Sequence, residues 1–238
     1  MSTVPRIGRP RLGILGGMGP AATIAFQQRL LRLRHAARDQ DHVPYLLSCN
    51  SRVPDRTAAI VGNGQSPLPE LRRDLQTLLD SGADVIAMPH NTAHHWWNKL
   101  AAEGGSARLL HIVDAVTARL PSDARPGLLA TTGTLRAGIY AQRAGAYTFM
   151  APPETTQEEV MAAIAAIKSG KAAAARGPLH TAACRLRDGG ATHIVMACTE
   201  VPLVLDPEDN PDLHLVDSLS ALAAAAIAAL DFQVHEMA

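Results

Sequence analysis

Two short stretches of the sequence place a reactive side chain directly after an apolar run. "DVIAMPHNTAH" carries an imidazole at His90, and "HIVMACTE" carries a thiol at Cys198. Free cysteine titrates near about 8.5 and histidine near about 6.5, so either group can accept or donate a proton near neutral pH after modest tuning. Two such groups on opposite faces of one carbon could remove a proton from one side and return a proton on the other. That chemistry is two-base racemisation.

Polar residues beside these two side chains could stabilise a developing negative charge. A proton next to a carboxylate is very weakly acidic, so a racemase needs hydrogen-bond donors placed in advance around that carboxylate. Asn91 and Thr92 follow His90 directly, and Thr199 follows Cys198. Further hydroxyl groups stand in the stretch "ATTGT", at Thr131, Thr132 and Thr134.

Glu200 stands two residues after Cys198, where it could tune the thiol or accept a hydrogen bond from a substrate ammonium group. The other cysteines, Cys49 and Cys184, are interpreted as structural. A pyridoxal enzyme would need a Schiff-base lysine, and no lysine follows a predicted strand convincingly. We therefore expect no cofactor.

Apolar runs alternate with helix-forming segments along the chain. "RLGILG" predicts a buried strand, and Pro20 then occupies a tolerated position in the first turn of a helix. "PYLLSC" and "DVIAMP" predict further strands, separated by a helix whose leucines form one stripe. The alternation predicts an α/β fold with parallel sheets, which bind ligands at the carboxyl ends of their strands. His90 stands at such an end.

The two halves of the sequence contain related segments. "GADVIAMPHNT" aligns without a gap with "GATHIVMACTE", which puts His90 in the place of Cys198. "ILGGMG" pairs with "LLATTGT" and "LHIVDAVTA" with "LHLVDSLSA". We predict two Rossmann-like domains related by a pseudo-twofold axis, with the active site in the cleft between them. Residues 1–118 and the C-terminal helix 218–238 are expected to form the first domain, and residues 119–217 the second.

The charge balance and the cysteine content narrow the class of protein. Lys plus Arg and Asp plus Glu number 22 each among 238 residues, so no overall field favours nucleic acid or an anionic membrane. The three cysteines form no CxxC pair. No apolar run has the length of a signal peptide or of a membrane span. A cytoplasmic location and a small charged substrate are expected.

Two further segments bear on whether the protein binds a dinucleotide or a metal. "GMGPAA" fits a dinucleotide fingerprint, but the next strand, "PYLLSC", ends without the acidic residue that the fingerprint requires. A tight turn near a substrate carboxylate explains the glycines better, and we expect Met18 in this turn to contact the substrate. His90, His94 and His95 have workable spacing for a metal, but no carboxylate stands nearby in sequence, and we expect no metal.

Over nearly its whole length the chain resembles the cofactor-independent aspartate/glutamate racemase family. The motifs that carry the resemblance are "GILGGMGPAAT", "VPDRTAAI", "MPHNTAH", "GLLATTGT" with "GIY", "IKSG" and "ACTEVPL". The resemblance implies two Rossmann-like domains, frequent homodimers and acidic amino acids as substrates.

The resemblance also implies roles for the matching residues. Cys198 would be one acid/base group, and Arg56 would bind the side-chain carboxylate of the substrate. Lys168 would reach the same carboxylate. The α-carboxylate would be held by four residues, namely Asn91, Thr92, Thr132 and Thr199.

The sequence departs from the family pattern at His90, where the family has a second cysteine. Three hypotheses remain open at this point. His90 is a working second base, which keeps racemisation. His90 only binds or orients, which leaves Cys198 as the single proton donor of a lyase or isomerase acting on a small dicarboxylate. The third hypothesis is a binding protein for small acids without catalysis.

Overall fold

The computed structural model describes residues 10–62 and 64–236, without the side chains of 232–236. In this part of the chain the strands form two parallel sheets, of order β2-β1-β3-β4 and β5-β6-β7. The strands are β1 (Leu12–Gly16), β2 (Tyr45–Cys49), β3 (Val85–Ala87), β4 (Arg108–Leu109), β5 (Pro126–Ala130), β6 (His193–Ala197) and β7 (Leu215–Asp217). The predicted α/β class with two parallel sheets is confirmed.

Helices connect these strands. They are α1 (Pro20–Arg34), α2 (Arg56–Val61), α3 (Leu68–Asp80), α4 (Trp97–Ala101), α5 (Ile112–Thr117), α6 (Thr132–Ala137), α7 (Ile139–Gln142), α8 (Glu154–Lys168), α9 (Ala172–Asp188) and α10 (Ser218–Glu236). Short 3-10 turns cover Asp39–Asp41, Thr92–Trp96 and Val201–Leu203. Among the helices of the described residues we find no candidate for a membrane span.

Local sequence explains where several helices begin. Pro20 opens α1, because its missing N–H is not needed in the first turn. The hydroxyl of Thr131 caps α6 by accepting the N–H of Thr134, and the carboxylate of Asp55 caps α2 by accepting the N–H of Ala58. Both caps place a helix N-terminus directly beside residues predicted to bind substrate.

The strand order repeats between the two sheets. β1, β3 and β4 of the first sheet correspond in order to β5, β6 and β7 of the second. Met150 pairs in parallel with Gly127 on the free side of β5, where the first sheet has β2. The duplication inferred from the sequence therefore extends to the way the strands are arranged.

The sheet register differs from one of the sequence matches. Ile86 pairs with Leu109, and the equivalent Ile194 pairs with Leu215. The match between "LHIVDAVTA" and "LHLVDSLSA" had aligned Leu215 with Ile112 instead. Ile112 already belongs to α5, because His111 caps that helix by accepting the N–H of Val113. The strand thus ends earlier in the first half than in the second.

The largest apolar cluster joins the two halves. It contains Leu12 and Val85 of the first sheet, Leu128 and Val195 of the second, and Leu222 of α10. α10 packs mainly against α1 and α5, which belong to the first half. The division at residues 118 and 217 stays a prediction.

Candidate active site

The ring of His90, in the loop after β3, is approached by N–H donors from two sides. Its Nδ1 accepts the backbone N–H of Ala93 at 3.2 Å, and its Nε2 lies 3.2 Å from Nη2 of Arg56. A neutral imidazole has one acceptor and one donor nitrogen, so it cannot accept from both groups. A protonated ring would turn an N–H toward both donors. These surroundings favour the neutral ring.

Electrostatics acts on His90 in the same direction. Its side chain is buried, and burial lowers its pKa well below the usual value, because a buried charge loses its hydration. The positive charges of Arg56 and Lys168 lower the pKa of His90 further. His90 therefore carries no charge at neutral pH and can accept a proton.

His94 holds the loop that carries His90. Its Nε2 accepts the N–H of Ile112 at 3.1 Å, so its Nδ1 carries the proton and donates to the carbonyl of His90 at 2.9 Å. Burial lowers the pKa of His94 to about 4, which keeps this ring neutral too. His94 therefore positions the loop through two hydrogen bonds to the backbone.

Arg56, the first residue of α2, is held by backbone carbonyl groups. Its Nη1 donates to Val53 and Pro54 at 3.0 and 2.9 Å, and its Nη2 donates to the carbonyl of Met18 at 3.1 Å. Its buried Nε has no hydrogen-bond partner among the described residues. The side chain of Met18 packs in the apolar core of the first half. The structure thus shows Met18 positioning the guanidinium, and its contact with substrate stays a prediction.

Cys198 directly follows β6 and donates its thiol hydrogen to Oε2 of Glu200 at 3.1 Å. The hydroxyl of Thr199 donates to the same oxygen at 3.2 Å. All three side chains are buried. Burial raises the pKa of Cys198 well above its usual value, and the negative charge of Glu200 raises it further. At neutral pH Cys198 is therefore a thiol that can donate a proton.

The second carboxylate oxygen of Glu200 faces the first half of the chain. Oε1 is buried, accepts no hydrogen bond among the described residues, and lies 2.9 Å from the position that a Cβ on Gly19 would take. Gly19 thus leaves room for this carboxylate beside the turn after β1. A pyrophosphate bound at this turn would meet the negative charge of Glu200, which argues against the dinucleotide-binding alternative.

A chain of hydrogen bonds connects the loop of His90 with the strand that leads to Cys198. The hydroxyl of Tyr140 donates to Oδ1 of Asn91 at 2.7 Å. Nδ2 of Asn91 donates to Ser218 at 3.0 Å, and the hydroxyl of Ser218 donates to the carbonyl of Met196 at 2.7 Å. The amide of Asn91 is thereby held in one orientation.

Three threonine hydroxyl groups connect the loop of His90 with the start of α6. Thr92 lies 2.9 Å from Thr131 and 2.8 Å from Thr134, and the latter two lie 3.0 Å apart. Thr132 lies beside this cluster, and its hydroxyl accepts a hydrogen bond from Gln157 at 3.3 Å. Of the hydroxyl groups expected near the substrate carboxylate, those of Thr92, Thr131 and Thr134 therefore contact one another.

Lys168 is exposed at the end of α8, yet its positive charge adds to the lowering of the pKa of His90 by burial and Arg56, and opposes the rise in the pKa of Cys198 that burial and Glu200 cause. The structure therefore brings the ammonium group close enough to act on both candidate proton-transfer residues.

Sequence reasoning missed three residues of this region. Tyr140, Ser218 and Gln157 hold Asn91 or Thr132 in place. Tyr140 stands in the motif "GIY", which was the one signal that pointed to it. The other two come from distant segments whose sequence carries no such signal.

The histidine cluster at the start of this loop does not fit a metal site. Nε2 of His90 faces the positive charge of Arg56, and both ring nitrogens of His94 bind the backbone. A cation at His90 would therefore meet the guanidinium.

Fold and candidate site together define a duplicated α/β protein with a thiol and an imidazole after equivalent strands. The profile of the Asp/Glu/Hydantoin racemase family matches residues 15–226, and the chain belongs to this family. The resemblance stated from the motifs is confirmed.

Two individual proteins are similar to the chain over most of its length, and a third shares its fold. An aspartate racemase from Picrophilus torridus has a TM-score of 0.83 and 31% identity, over 94% of this chain and 95% of that one. The broad specificity amino-acid racemase RacX of Bacillus subtilis (strain 168) is 26% identical over 91% of this chain and 96% of its own length. An aspartate racemase homologue from Pyrococcus horikoshii shares the fold, with a TM-score of 0.74 and 20% identity over 93% and 99% of the two chains.

Proposed function

We propose that the protein racemises an acidic amino acid, aspartate or glutamate, by proton transfer at the α-carbon, with His90 and Cys198 as the two bases. The observation that carries the proposal is the complementary state of the two groups. The pKa of His90 is lowered and that of Cys198 is raised, so the resting enzyme holds one proton acceptor and one proton donor. Two-base racemisation of one enantiomer requires this combination.

In the proposed reaction, the imidazole of His90 takes the α-proton, and the electron pair of the C–H bond moves into the adjacent carboxylate. The thiol of Cys198 then delivers its proton to the opposite face of the carbon. The product leaves His90 protonated and Cys198 as a thiolate, and exchange with solvent restores the starting state. No pyridoxal group takes part in these steps.

Arg56 supports this proposal through its contact with His90. A substrate carboxylate bound to the guanidinium would offset the charge that now lowers the pKa of His90. Binding an acidic side chain would thus make His90 a stronger base when substrate is present. Oε1 of Glu200, which accepts no hydrogen bond within the described part of the chain, is suited to accept one from the substrate ammonium group. The hydroxyl groups of Thr92, Thr132 and Thr199 and the amide of Asn91 are proposed to hold the α-carboxylate.

A second candidate is a lyase or isomerase of a small dicarboxylate that uses Cys198 as its single proton donor. The observation in its favour is the pair of contacts at the ring of His90. Nδ1 accepts the N–H of Ala93, which puts the proton of the neutral ring on Nε2, and Nε2 faces Nη2 of Arg56. In that case His90 would only orient the arginine. A binding protein for small acids is the third candidate, and it would keep Arg56 and the threonines.

Proton exchange in D2O separates these candidates. The α-proton of L- and D-aspartate and of L- and D-glutamate is followed by NMR with the wild type, Cys198→Ser and His90→Ala. We expect deuterium incorporation together with the opposite enantiomer, and loss of both in either variant. Deuterium exchange at the α-carbon with retained configuration would support the single-thiol candidate if it is lost in Cys198→Ser and kept in His90→Ala. No exchange from any of the four substrates would overturn racemisation of acidic amino acids.

We also propose that the protein forms a homodimer through the exposed apolar side chains of α1 and β2. Ile24 and Leu31 are 56% and 60% exposed, and Tyr45 and Leu47 on the edge strand are 44% and 39% exposed. Ile24, Leu31 and Tyr45 line the same surface groove, and exposed apolar side chains that lie together are typical of an interface. Light scattering should give a dimer for the wild type and a monomer for Leu31→Glu, and a monomeric wild type would contradict the proposal.

We further propose that residues 1–118 and 218–238 form the first domain and residues 119–217 the second. We also propose a cytoplasmic location. The packing of α10 against α1 and α5 supports assigning this helix to the first domain. The three free cysteines suit a reducing compartment.

A further inference from the structure

Three potential metal ligands converge in the second half, on elements that the proposed reaction does not use. His180 and Cys184 lie one turn apart on α9, and Asp212 belongs to the segment before β7. One ligand atom from each residue lies within 4.8 Å of the other two. His180 and Cys184 are half-buried, and Asp212 is exposed. A solvent-borne ion could therefore reach all three.

The distance between the sulfur and the imidazole nitrogens is close to that of a tetrahedral site. Sγ of Cys184 lies 3.8 Å from Nδ1 and 3.9 Å from Nε2 of His180. Metal–ligand distances of about 2.3 Å for sulfur and about 2.0 Å for nitrogen put the two ligand atoms roughly 3.5 Å apart. Small side-chain movements would therefore close the site.

We propose that His180, Cys184 and Asp212 bind one divalent transition-metal ion of the zinc type, with water as the fourth ligand. A thiolate and an imidazole are ligands that zinc and cobalt prefer, whereas magnesium and calcium prefer oxygen. Binding forms the metal–sulfur bond and releases the thiol proton to solvent. The ion would connect α9 to the segment before β7.

The guanidinium of Arg187 contacts one of the three proposed ligands. Its Nη1 donates to Oδ2 of Asp212 at 2.7 Å, and its Nε donates to Asp188 at 3.0 Å. A carboxylate has two oxygens, so Asp212 can keep this hydrogen bond while its other oxygen binds the metal, as is usual for carboxylate ligands. The thiolate and the carboxylate together offset the two positive charges of the ion. Arg187 therefore orients Asp212 and need not exclude the metal.

Cobalt(II) chloride tests the proposal on the full-length protein under a reductant that does not bind metals. A thiolate ligand gives cobalt a charge-transfer band in the near ultraviolet, and tetrahedral coordination gives intense visible bands. We expect both signals at one equivalent per chain, loss of the charge-transfer band in Cys184→Ser, and at least tenfold weaker binding in His180→Ala and Asp212→Asn.

Two further cysteine variants serve as matched controls. Cys49→Ser removes an exposed thiol, and Cys198→Ser removes the thiol proposed for racemisation. Both should keep the cobalt signals. A charge-transfer band that survives Cys184→Ser but disappears in Cys198→Ser or Cys49→Ser would overturn the site, as would the absence of any such band in the wild type.

Zinc supplies a second measurement that does not depend on spectroscopy or on racemase activity. Zinc chloride should raise the melting temperature of the wild type and of Cys198→Ser, and should have no such effect on His180→Ala. Circular dichroism without metal shows whether each variant is folded. An equal zinc-induced shift in His180→Ala would contradict the proposal.

Discussion

Nη2 of Arg56 lies 3.2 Å from Nε2 of His90, so the arginine proposed to bind substrate contacts the base proposed to attack it. The same guanidinium lowers the pKa of His90. Burial lowers the pKa of Arg56 itself, and the negative charges of Asp55 and Glu200 oppose that effect. Glu200 in turn accepts the thiol hydrogen of Cys198. Substrate recognition and the protonation of both proposed bases are therefore coupled through two charged side chains.

Replacing Arg56 should impair acidic substrates most. In Arg56→Gln the substrate carboxylate loses a charged, buried partner, an effect worth about 2–5 kcal/mol, so kcat/KM for aspartate or glutamate should fall at least about 30-fold. Neutral amino acids should be affected less. Arg52→Gln, at an exposed arginine four residues away, is the matched control. Equal losses for acidic and neutral substrates would contradict the proposed role.

The pH dependence of kcat/KM should reveal a base at residue 90 that is already deprotonated at neutral pH. His90 has a lowered pKa and Cys198 a raised pKa, so activity should form a plateau that extends below pH 6.5 and above pH 8.5. In His90→Cys the base must first lose a thiol proton, so the acid limb should move up toward about pH 8.5. An unchanged acid limb in His90→Cys would argue against His90 as a base.

Glu200→Gln should make Cys198 more reactive toward iodoacetamide. Burial is the main cause of the raised pKa of Cys198, and the negative charge of Glu200 is the next. Removing that charge lowers the pKa, and a drop of one unit increases the thiolate fraction about tenfold at pH 8. Peptide mass spectrometry measures alkylation at each site, with the exposed Cys49 as internal control. Slower alkylation of Cys198 would contradict the electrostatic role.

Tyr140→Phe should lower kcat/KM as well as stability. It leaves the buried Oδ1 of Asn91 without a donor, which costs about 1–3 kcal/mol, and it removes one of the two hydrogen bonds that orient the amide. Tyr147→Phe removes a hydroxyl that donates to the carbonyl of Leu120, away from the site. We expect both variants to lower the free energy of unfolding in urea, and Tyr140→Phe alone to lower kcat/KM. A similar loss of activity in Tyr147→Phe would refute a positioning role.

Acid should destabilise the protein through its buried histidines. Burial lowers the pKa of His94 to about 4 and of His111 to about 2. Below about pH 6.5 the unfolded chain binds protons that the folded chain does not, so each histidine lowers the free energy of unfolding by about 1.4 kcal/mol per pH unit. The loss from His94 continues to about pH 4.

Urea unfolding at pH 7 and pH 5 tests this dependence. His111→Asn removes a titrating ring and keeps a side chain that can cap α5, so its stability should depend less steeply on pH. His35→Asn is the control, because His35 is exposed and asparagine tolerates its left-handed backbone. An equal pH dependence in His111→Asn and wild type would show that His111 contributes nothing.

Much of the fold was predictable because strands and helices leave local periodic patterns. The apolar runs around Ile14, Ile86 and Val195 correctly placed β1, β3 and β6. The third repeat match was less informative, because it pairs Leu215 with Ile112, whereas the sheet register makes Leu215 equivalent to Leu109. In the sheet register the helices that follow begin at equivalent residues, Ile112 and Ser218, so the similar letters are shifted by about one helical turn relative to the structure.

The sequence by itself determined the α/β class, the duplication and the placement of His90 and Cys198 after equivalent strands. These properties depend on residue types within single segments and on comparing the two halves. Only the tertiary structure decided which groups surround the two side chains: Arg56 at His90, Glu200 beside Gly19, and Ser218 beneath Asn91. Those contacts join segments far apart in the chain, and they depend on how the helices pack against both sheets, which no local pattern encodes.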